Sequence, residues 1–384
     1  MLCIKAKLIY TGKPEDTIQD AYLAFEGKQI VYVGKEKPGK EVEVWDVEDA
    51  VITPAFIDAH CHIGMERAGE PSREAEVNEQ FESVLPMVDA LFSVYMDDKA
   101  FKEAIEQGTL YSCILPGSAN ILGGRGAIVR NYGVDVDDAF IRYAGVKAAL
   151  GYNPRSVEEW KGTRPRTRMG AVAIFQRWLE KAKSTMKLVE QGKKDLEEVE
   201  PELKLLFPVL RGEEALRIHV HRSDDVAALL RLRSIYGFKA TAEHLCDVAS
   251  KHTFERLREE GVPIVYGPID AFPYKTELKN ESYRNVKLLV EARPLFGLMS
   301  DHPVILQRNL YLQLRFFRRY GMSRAECISL ITRRNAQILG IDDILGSLEP
   351  GKWASFTVWS EDPFSLEAYP KLVVGEGRKL HEEG

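Results

Sequence analysis

Six side chains of metal-binding type fall where short apolar runs stop. His60 and His62 close the run in VITPAFIDAHCHIG (51–64), His219 and His221 close LRIHVH (216–221), His244 closes KATAEHL (239–245), and Asp301 closes FGLMSD (296–301). Short apolar runs bounded by turn residues read as buried strands, and residues two apart on a strand share a side. His60 and His62 therefore project together, as do His219 and His221. Neutral imidazole nitrogens and a carboxylate oxygen are donors for zinc and similar divalent ions. One His-x-His is a weak signal, and any single histidine here could be a hydrogen-bonded core residue. Five of the eight histidines at strand ends favour the joint metal reading. An ion held by three or four such groups, with one position open, lowers the pKa of bound water toward neutrality, which is hydrolysis without a protein nucleophile. No G-x-S-x-G elbow occurs, and no cysteine has an evident histidine partner.

Bringing these groups together takes a scaffold that gathers strand ends. Between 53 and 343 the apolar runs, which also include TLYSCIL (109–115), RYAGVKAAL (142–150) and VPIVYG (262–267), alternate with amphipathic stretches at 97–108, 171–207, 224–237 and 250–261. Strand–helix repetition predicts an α/β fold with a parallel sheet. Eight such units closing into a (β/α)8 barrel place functional groups at the C-terminal ends of the strands. The Lys/Glu-rich part of the second helical stretch reads as a solvated helix or excursion. Residues 1–52 and 344–384 instead alternate apolar with polar between Gly and Pro, the pattern of short strands. Gly27-Lys28 before Gln29 looks like a hairpin turn. The two ends form either one small sheet unit or two separate appendages.

Composition narrows the partners. The 384 residues are 45% hydrophobic, enough for a large core, and the formal net charge of −6 gives no electrostatic case for nucleic acid or an anionic membrane. No run reaches the length of a membrane span, and the N-terminus lacks a continuous signal-type apolar core. Five scattered cysteines without C-x-x-C spacing make a disulfide framework improbable and fit a reducing cytoplasm. Cys61 and Cys246, each adjacent to or near a ligand candidate, read as core thiols. A small-molecule substrate is expected, and a homo-oligomer is compatible with everything above.

The stretch TPAFIDAHCH resembles the first barrel strand of the amidohydrolase superfamily, whose usual pattern is P-G-x-[IV]-D-x-H-x-H; Ala55 stands where Gly is common. GSLEPGKWASFTVW (346–359) is similar to the phrase marking that family's return to a composite β-sandwich, with Ser355 where Asp is common. The resemblance therefore implies one composite β-sandwich from both termini and a metal-dependent barrel. It further implies the ligands His60, His62, His219, His244 and Asp301, with Lys147 as a candidate carboxylated bridge between two ions. His219 and His221 face the same side, so either could be the ligand and the other a substrate group. Zinc is the expected cofactor, in one or two copies. Asp301 would act as general base, and His244 or His221 would help polarise the scissile carbonyl. PGSANILGGRGAIV (116–129), the NPR of 153–155 and TRMG (167–170) resemble imidazolonepropionase-related hydrolases; relatives carry G-E-N-P where Tyr152 replaces the acid here. Arg125 and Arg168 are candidates for holding a substrate carboxylate, with Tyr152 nearby. The glycine pair in the first of these phrases implies a sharp turn or a backbone approaching a ligand. The implied reaction is hydrolysis of an amide or cyclic-amide C–N bond (carbon–nitrogen bonds other than peptide bonds). Position 222 is Arg where the superfamily's deaminases place a catalytic Glu, which lowers ring deamination. The rivals are a catalytically silent binding protein on the same fold and a non-hydrolytic metal enzyme.

Overall fold

The computed structural model describes residues 1–39, 42–47, 49–156 and 164–383. Glu41 and Glu48, inside an N-terminal stretch expected to be β, and Gly384 at the C-terminal end lie outside the described residues. The N-terminal strands are β1 (Leu2–Tyr10), β2 (Thr17–Glu26), β3 (Gln29–Gly34), β4 (Val44–Asp46) and β5 (Val51–Pro54). Then come β6 (Phe56–Cys61), β7 (Thr109–Ile114), β8 (Leu122–Arg130), β9 (Phe140–Ala149), β10 (Ala215–Val220), β11 (Lys239–His244), β12 (Ile264–Tyr266) and β13 (Phe296–Leu298). The chain ends with β14 (Phe356–Trp359), β15 (Pro370–Gly375) and β16 (Arg378–Glu382).

Both termini build one connected eight-stranded sheet in the order β16-β15-β14-β5-β1-β2-β3, with β4 beside β1. β5 joins the two ends, running parallel to β1 and antiparallel to β14. Its apolar residues gather in one cluster that includes Ile4, Leu23, Ile52, Phe356 and Val358. Glu26 pairs with Gln29 across Gly27, whose φ of 54° is the left-handed conformation that the Gly-Lys turn implies.

The middle of the chain forms a second eight-stranded sheet, β6 through β13 in sequence order, curled into a TIM-type barrel. Helices Arg168–Glu190, Ser223–Tyr236 and Lys251–Glu259 cover it through buried residues such as Phe175, Leu229 and Phe254. Each such side chain contributes about 1.5–3 kcal/mol on burial.

The uniform parallel alternation fails at one place. β8 runs antiparallel to both β7 and β9. A parallel neighbour needs a crossover of about a dozen residues; the links on either side of β8 are too short, so the chain doubles back. The Gly-rich phrase is this strand. Gly124, at φ 89°, leaves room for the Val88 carbonyl, which a Cβ would meet at 2.0 Å, so the approaching backbone is the protein's own. The charged helix also stops earlier than expected. It ends at Glu190 before Gly192 (φ 66°), and only short turns, Pro201–Lys204 and Phe207–Leu210, continue to residue 210.

Side chains close the ring between its last and first strands. Asn335 Nδ2 donates to the carbonyls of Ile57 (2.6 Å) and Leu298 (2.8 Å), and its Oδ1 accepts from Leu298 N (3.1 Å). Asp58 on β6 accepts from Ser300 N at 3.0 Å and from the Ser300 hydroxyl. Asp301 N donates to His60 O at 3.1 Å.

Candidate metal centre

Three imidazoles are pinned at Nδ1. His62 Nδ1 lies 2.7 Å from Leu115 O, His244 Nδ1 3.0 Å from Gly267 O, and His60 Nδ1 3.0 Å from Glu243 Oε2. A carbonyl only accepts, so Nδ1 of His62 and His244 carries the hydrogen, which in a neutral ring leaves the lone pair on Nε2. An acceptor fixing the far nitrogen is how metal-binding histidines are oriented. Burial, reinforced by Lys147 and His62, holds His60 well below the ordinary imidazole value. Burial does the same to His219, aided by Lys275, and to His244, aided by His219. These rings are neutral donors.

The opposite ring nitrogens converge with the Asp301 carboxylate. Asp301 Oδ1 lies 3.3 Å from His62 Nε2 and 3.8 Å from His60 Nε2. Two atoms bound at about 2.1 Å to a tetrahedral ion stand about 3.4 Å apart, so these separations fit. Ligand atoms of His60, His244 and Asp301 all lie within 4.8 Å of one another, as do those of His219, His221 and His244. His244 Nε2 and both nitrogens of His219 are buried without hydrogen-bond partners among the described residues. Unsatisfied buried polar atoms are costly, and a bound cation would satisfy His244 Nε2 and whichever His219 nitrogen bears the lone pair. His244 (φ 77°) and Asp301 (φ 50°) adopt left-handed backbone, which turns each side chain at its strand end at a cost of about 1–3 kcal/mol.

A charged layer lies beneath. Glu243 Oε1 pairs with Arg217 Nε at 2.8 Å and accepts from the Thr241 hydroxyl, while Arg217 Nη2 donates to Ala59 O at 2.9 Å. The Arg217–Glu243 contact is an ion pair rather than a well-angled hydrogen bond. Lys147, fully buried on β9, places Nζ 3.2 Å from His60 Nε2. Burial pulls this amine down to about 8, against the opposing pull of Asp301 and Glu243. Asp58 also accepts from His60 N (3.3 Å) and Gln307 Nε2 (2.9 Å), and burial raises its carboxyl to about 6.

The structure thus brings together His60, His62, His219, His221, His244, Asp301 and Lys147. His221 lines a pocket with Asp301, Cys246, Tyr274 and Lys275. Tyr152 lines an adjoining cavity of about 450 Å³ with Ser118, Asn153 and Tyr274. The two arginines lie elsewhere. Arg125 pairs with Glu214 at 2.8 Å and stacks on Tyr143, level with Val146, where parallel β10 is near its start. Arg168 pairs with Asp225 at 2.6 Å at the start of its helix. Each guanidinium spends its charge on a neighbour rather than on the histidine cluster. Sequence reasoning missed Arg217, Glu243 and Glu277. The signal for the first two was present: like Lys147, they are charges inside apolar runs on adjacent strands, and such charges must find partners. Glu277, on the loop after β12, carries no comparable signal.

Comparison with known proteins agrees with this geometry. Residues 216–380 match the model of an amidohydrolase family. The amidohydrolase tasK of Hapsidospora irregularis is 24% identical over 97% of this chain; the chain spans 42% of that protein's length. A crystal structure of an amidohydrolase from Thermotoga maritima superposes over 100% of both chains with a TM-score of 0.92 at 29% identity. The chain belongs to the amidohydrolase superfamily. This amidohydrolase also shares its fold with a Xaa-Pro dipeptidase crystallised with methionine in its active site (TM-score 0.62, 14% identity, 100% of both chains). Members of the superfamily typically depend on divalent metal. No helix among the described residues is long and apolar enough to cross a membrane.

Proposed function

We propose that this amidohydrolase hydrolyses an amide or cyclic-amide C–N bond of a small molecule, in the manner of imidazolonepropionase-related enzymes. The observation that carries the reading is the convergence of His60, His62 and His244, each pinned at Nδ1, on the Asp301 carboxylate. His60, His62, His219, His244 and Asp301 hold the cation, zinc by the chemistry of an N/O donor set. Lys147 stands ready to add an oxygen once its nitrogen has taken up carbon dioxide. A cation bound by these residues would acidify a water and act as a Lewis acid toward the scissile carbonyl. Asp301 accepts a proton from the attacking water and delivers it to the departing nitrogen as the C–N bond breaks, so the products are a carboxylate and a protonated amine or its ring-opened equivalent. His221 and Tyr152 line the space where the acyl part is held. The barrel, residues 53–343, carries this chemistry, the composite unit 1–52 plus 344–384 supports it, and the setting is the cytoplasm.

Metal analysis of native protein followed by a panel of N-acyl and cyclic-amide substrates tests the reading. At least one tightly held ion per chain with amide cleavage is the expected result. Ammonia released from an aminated ring in place of amide cleavage means a deaminase, and protein that holds no metal means a silent binding protein; either overturns the reading.

A further inference from the structure

At the end of the barrel away from the histidines lies a cavity of about 550 Å³. Phe296, the first residue of β13, is in its wall, while Asp301 follows the other end of that strand, about 15 Å further along. Three arginines line it: Arg293 from the end of the helix Val286–Ala292, and Arg333 and Arg334 from the helix Arg333–Leu339. Arg334 is held over the ring of Phe296 at 5.2 Å, with no carboxylate in ion-pair reach among the described residues. Glu326 acts on it from further off, and that carboxylate already accepts from Ser323 N at 2.6 Å. Burial outweighs Glu326 and pulls the guanidinium below its ordinary value. Arg293 is exposed at the rim, also without an acid in ion-pair reach among the described residues, and takes a left-handed φ of 51° that glycine adopts more readily. Arg333 has a partner, Glu349 at 3.2 Å, but Lys13 (2.8 Å) and Lys352 (3.3 Å) share the same carboxylate. Glu15 and Glu326 are the remaining acids of the walls among the described residues, so five cations meet three carboxylates and positive charge is in surplus.

We propose that this cavity binds a small organic phosphate, remote from the histidine cluster and independent of it. A guanidinium fork meets phosphate oxygens two at a time. Two forks without acidic partners suit a group that carries close to two negative charges at neutral pH. The volume falls in the ordinary range for small-molecule sites and leaves room beyond a phosphate group. Pro294, Tyr320 and Met322 offer the rest of the ligand an apolar wall, and Glu15 and Gln337 offer it hydrogen-bonding partners. Asn335, which stitches β6 to β13, is the next residue after Arg334 in the same helix. A ligand seated on Arg334 and on the start of β13 holds that joint from outside.

The test is isothermal titration calorimetry of the intact chain with adenosine 5′-monophosphate, glucose 6-phosphate, inorganic phosphate and adenosine. At least one ester is expected to bind with a Kd below about 1 mM, at least about 10-fold tighter than inorganic phosphate and adenosine, and to raise Tm. Preference for the adenine ester puts a ring on Tyr320; preference for the sugar ester puts hydroxyls on Glu15. Arg334→Met keeps the apolar stem, and Arg293→Gln changes only the exposed rim, so the second variant stays informative if the first folds poorly. Each should weaken binding about 10-fold or more, the scale of one hydrogen bond to a charged group. His221→Ala, in the barrel mouth, should leave binding unchanged. The proposal is overturned if neither ester reaches the stated affinity and margin, if neither arginine variant weakens binding, or if His221→Ala weakens it as they do.

Discussion

Replacing Glu243 with Gln tests whether the buried charges beneath the cluster act as one unit. Glu243 is completely buried and serves two partners, His60 Nδ1 through Oε2 and Arg217 through Oε1. Gln can still accept from His60, but its amide nitrogen then faces a guanidinium that is 1% exposed and has no other acidic partner within ion-pair reach among the described residues. Breaking a buried pair by removing one charge costs about 3–5 kcal/mol. With an unfolding entropy of about 2.1 cal/mol/K per residue, the 384-residue chain loses about 4–6 °C of Tm if it unfolds cooperatively. The orienting partner of His60 becomes neutral at the same time, so metal affinity should fall about 10–100-fold. Differential scanning calorimetry of metal-free protein and competition with a chelator read the two effects separately. The double variant Glu243→Gln with Arg217→Met, which removes both charges, should recover part of the Tm loss, because apolar replacement of both partners is often neutral. A Glu243→Gln protein that melts within 1 °C of wild type and binds metal equally well would refute the reasoning. It would show that Arg217 finds compensation the geometry does not contain.

Asp301→Asn should keep a metal ion while lowering kcat by at least about 100-fold, the scale of a general base; metal analysis with steady-state kinetics decides it. His60→Ala with His62→Ala should lower metal content and Tm together, since ligation is coupled to folding. Asn335→Ala leaves three buried backbone groups of β6 and β13 unpaired and should cost at least about 3 kcal/mol in denaturant unfolding. Burial alone would raise the Glu349 carboxyl, yet hydrogen bonds from Lys13 and Ser347 with the Lys352 charge hold it at about 2, below its usual 4.5. A depressed carboxyl stabilises the fold above its unfolded pKa and loses that contribution as pH falls from about 5 toward 2. Glu349→Gln should therefore remove about 1 kcal/mol at neutral pH, discounted for partial exposure, and flatten the stability profile across that acid window.

The legible parts of this chain are those where local pattern and tertiary role coincide. The apolar runs ending in His60, His62, His219, His244 and Asp301 announce both buried strands and the ends where the candidate donors gather. The family resemblance of TPAFIDAHCH and GSLEPGKWASFTVW then supplied the barrel and the joined termini. What escaped depends on long-range geometry. Strand alternation puts Glu243 and His244 on opposite sides; the left-handed turn at His244 re-aims the ring, and no local rule announces that turn. β8 hid because its glycines signal an approaching backbone without saying whose. Arg125 and Arg168 looked like free cations because Glu214, Asp224 and Asp225 are acceptors only once the chain has folded. Glu277 sits in a loop of ordinary polarity, and only the folded structure brings its Oε1 to 3.5 Å from His219 Nε2.

The ring's closing stitch is made by side chains next to the donors themselves. Asp58 precedes His60 by two residues, Ser300 precedes Asp301 by one, and the bond between the two ties the first strand to the last. A cation gripping His60 and Asp301 therefore clasps the hoop at its own buckle. Demetallation should loosen the girdle locally, and amide hydrogen exchange should rise first at Leu298, Ser300 and Asp301, well before the flanking helices let go.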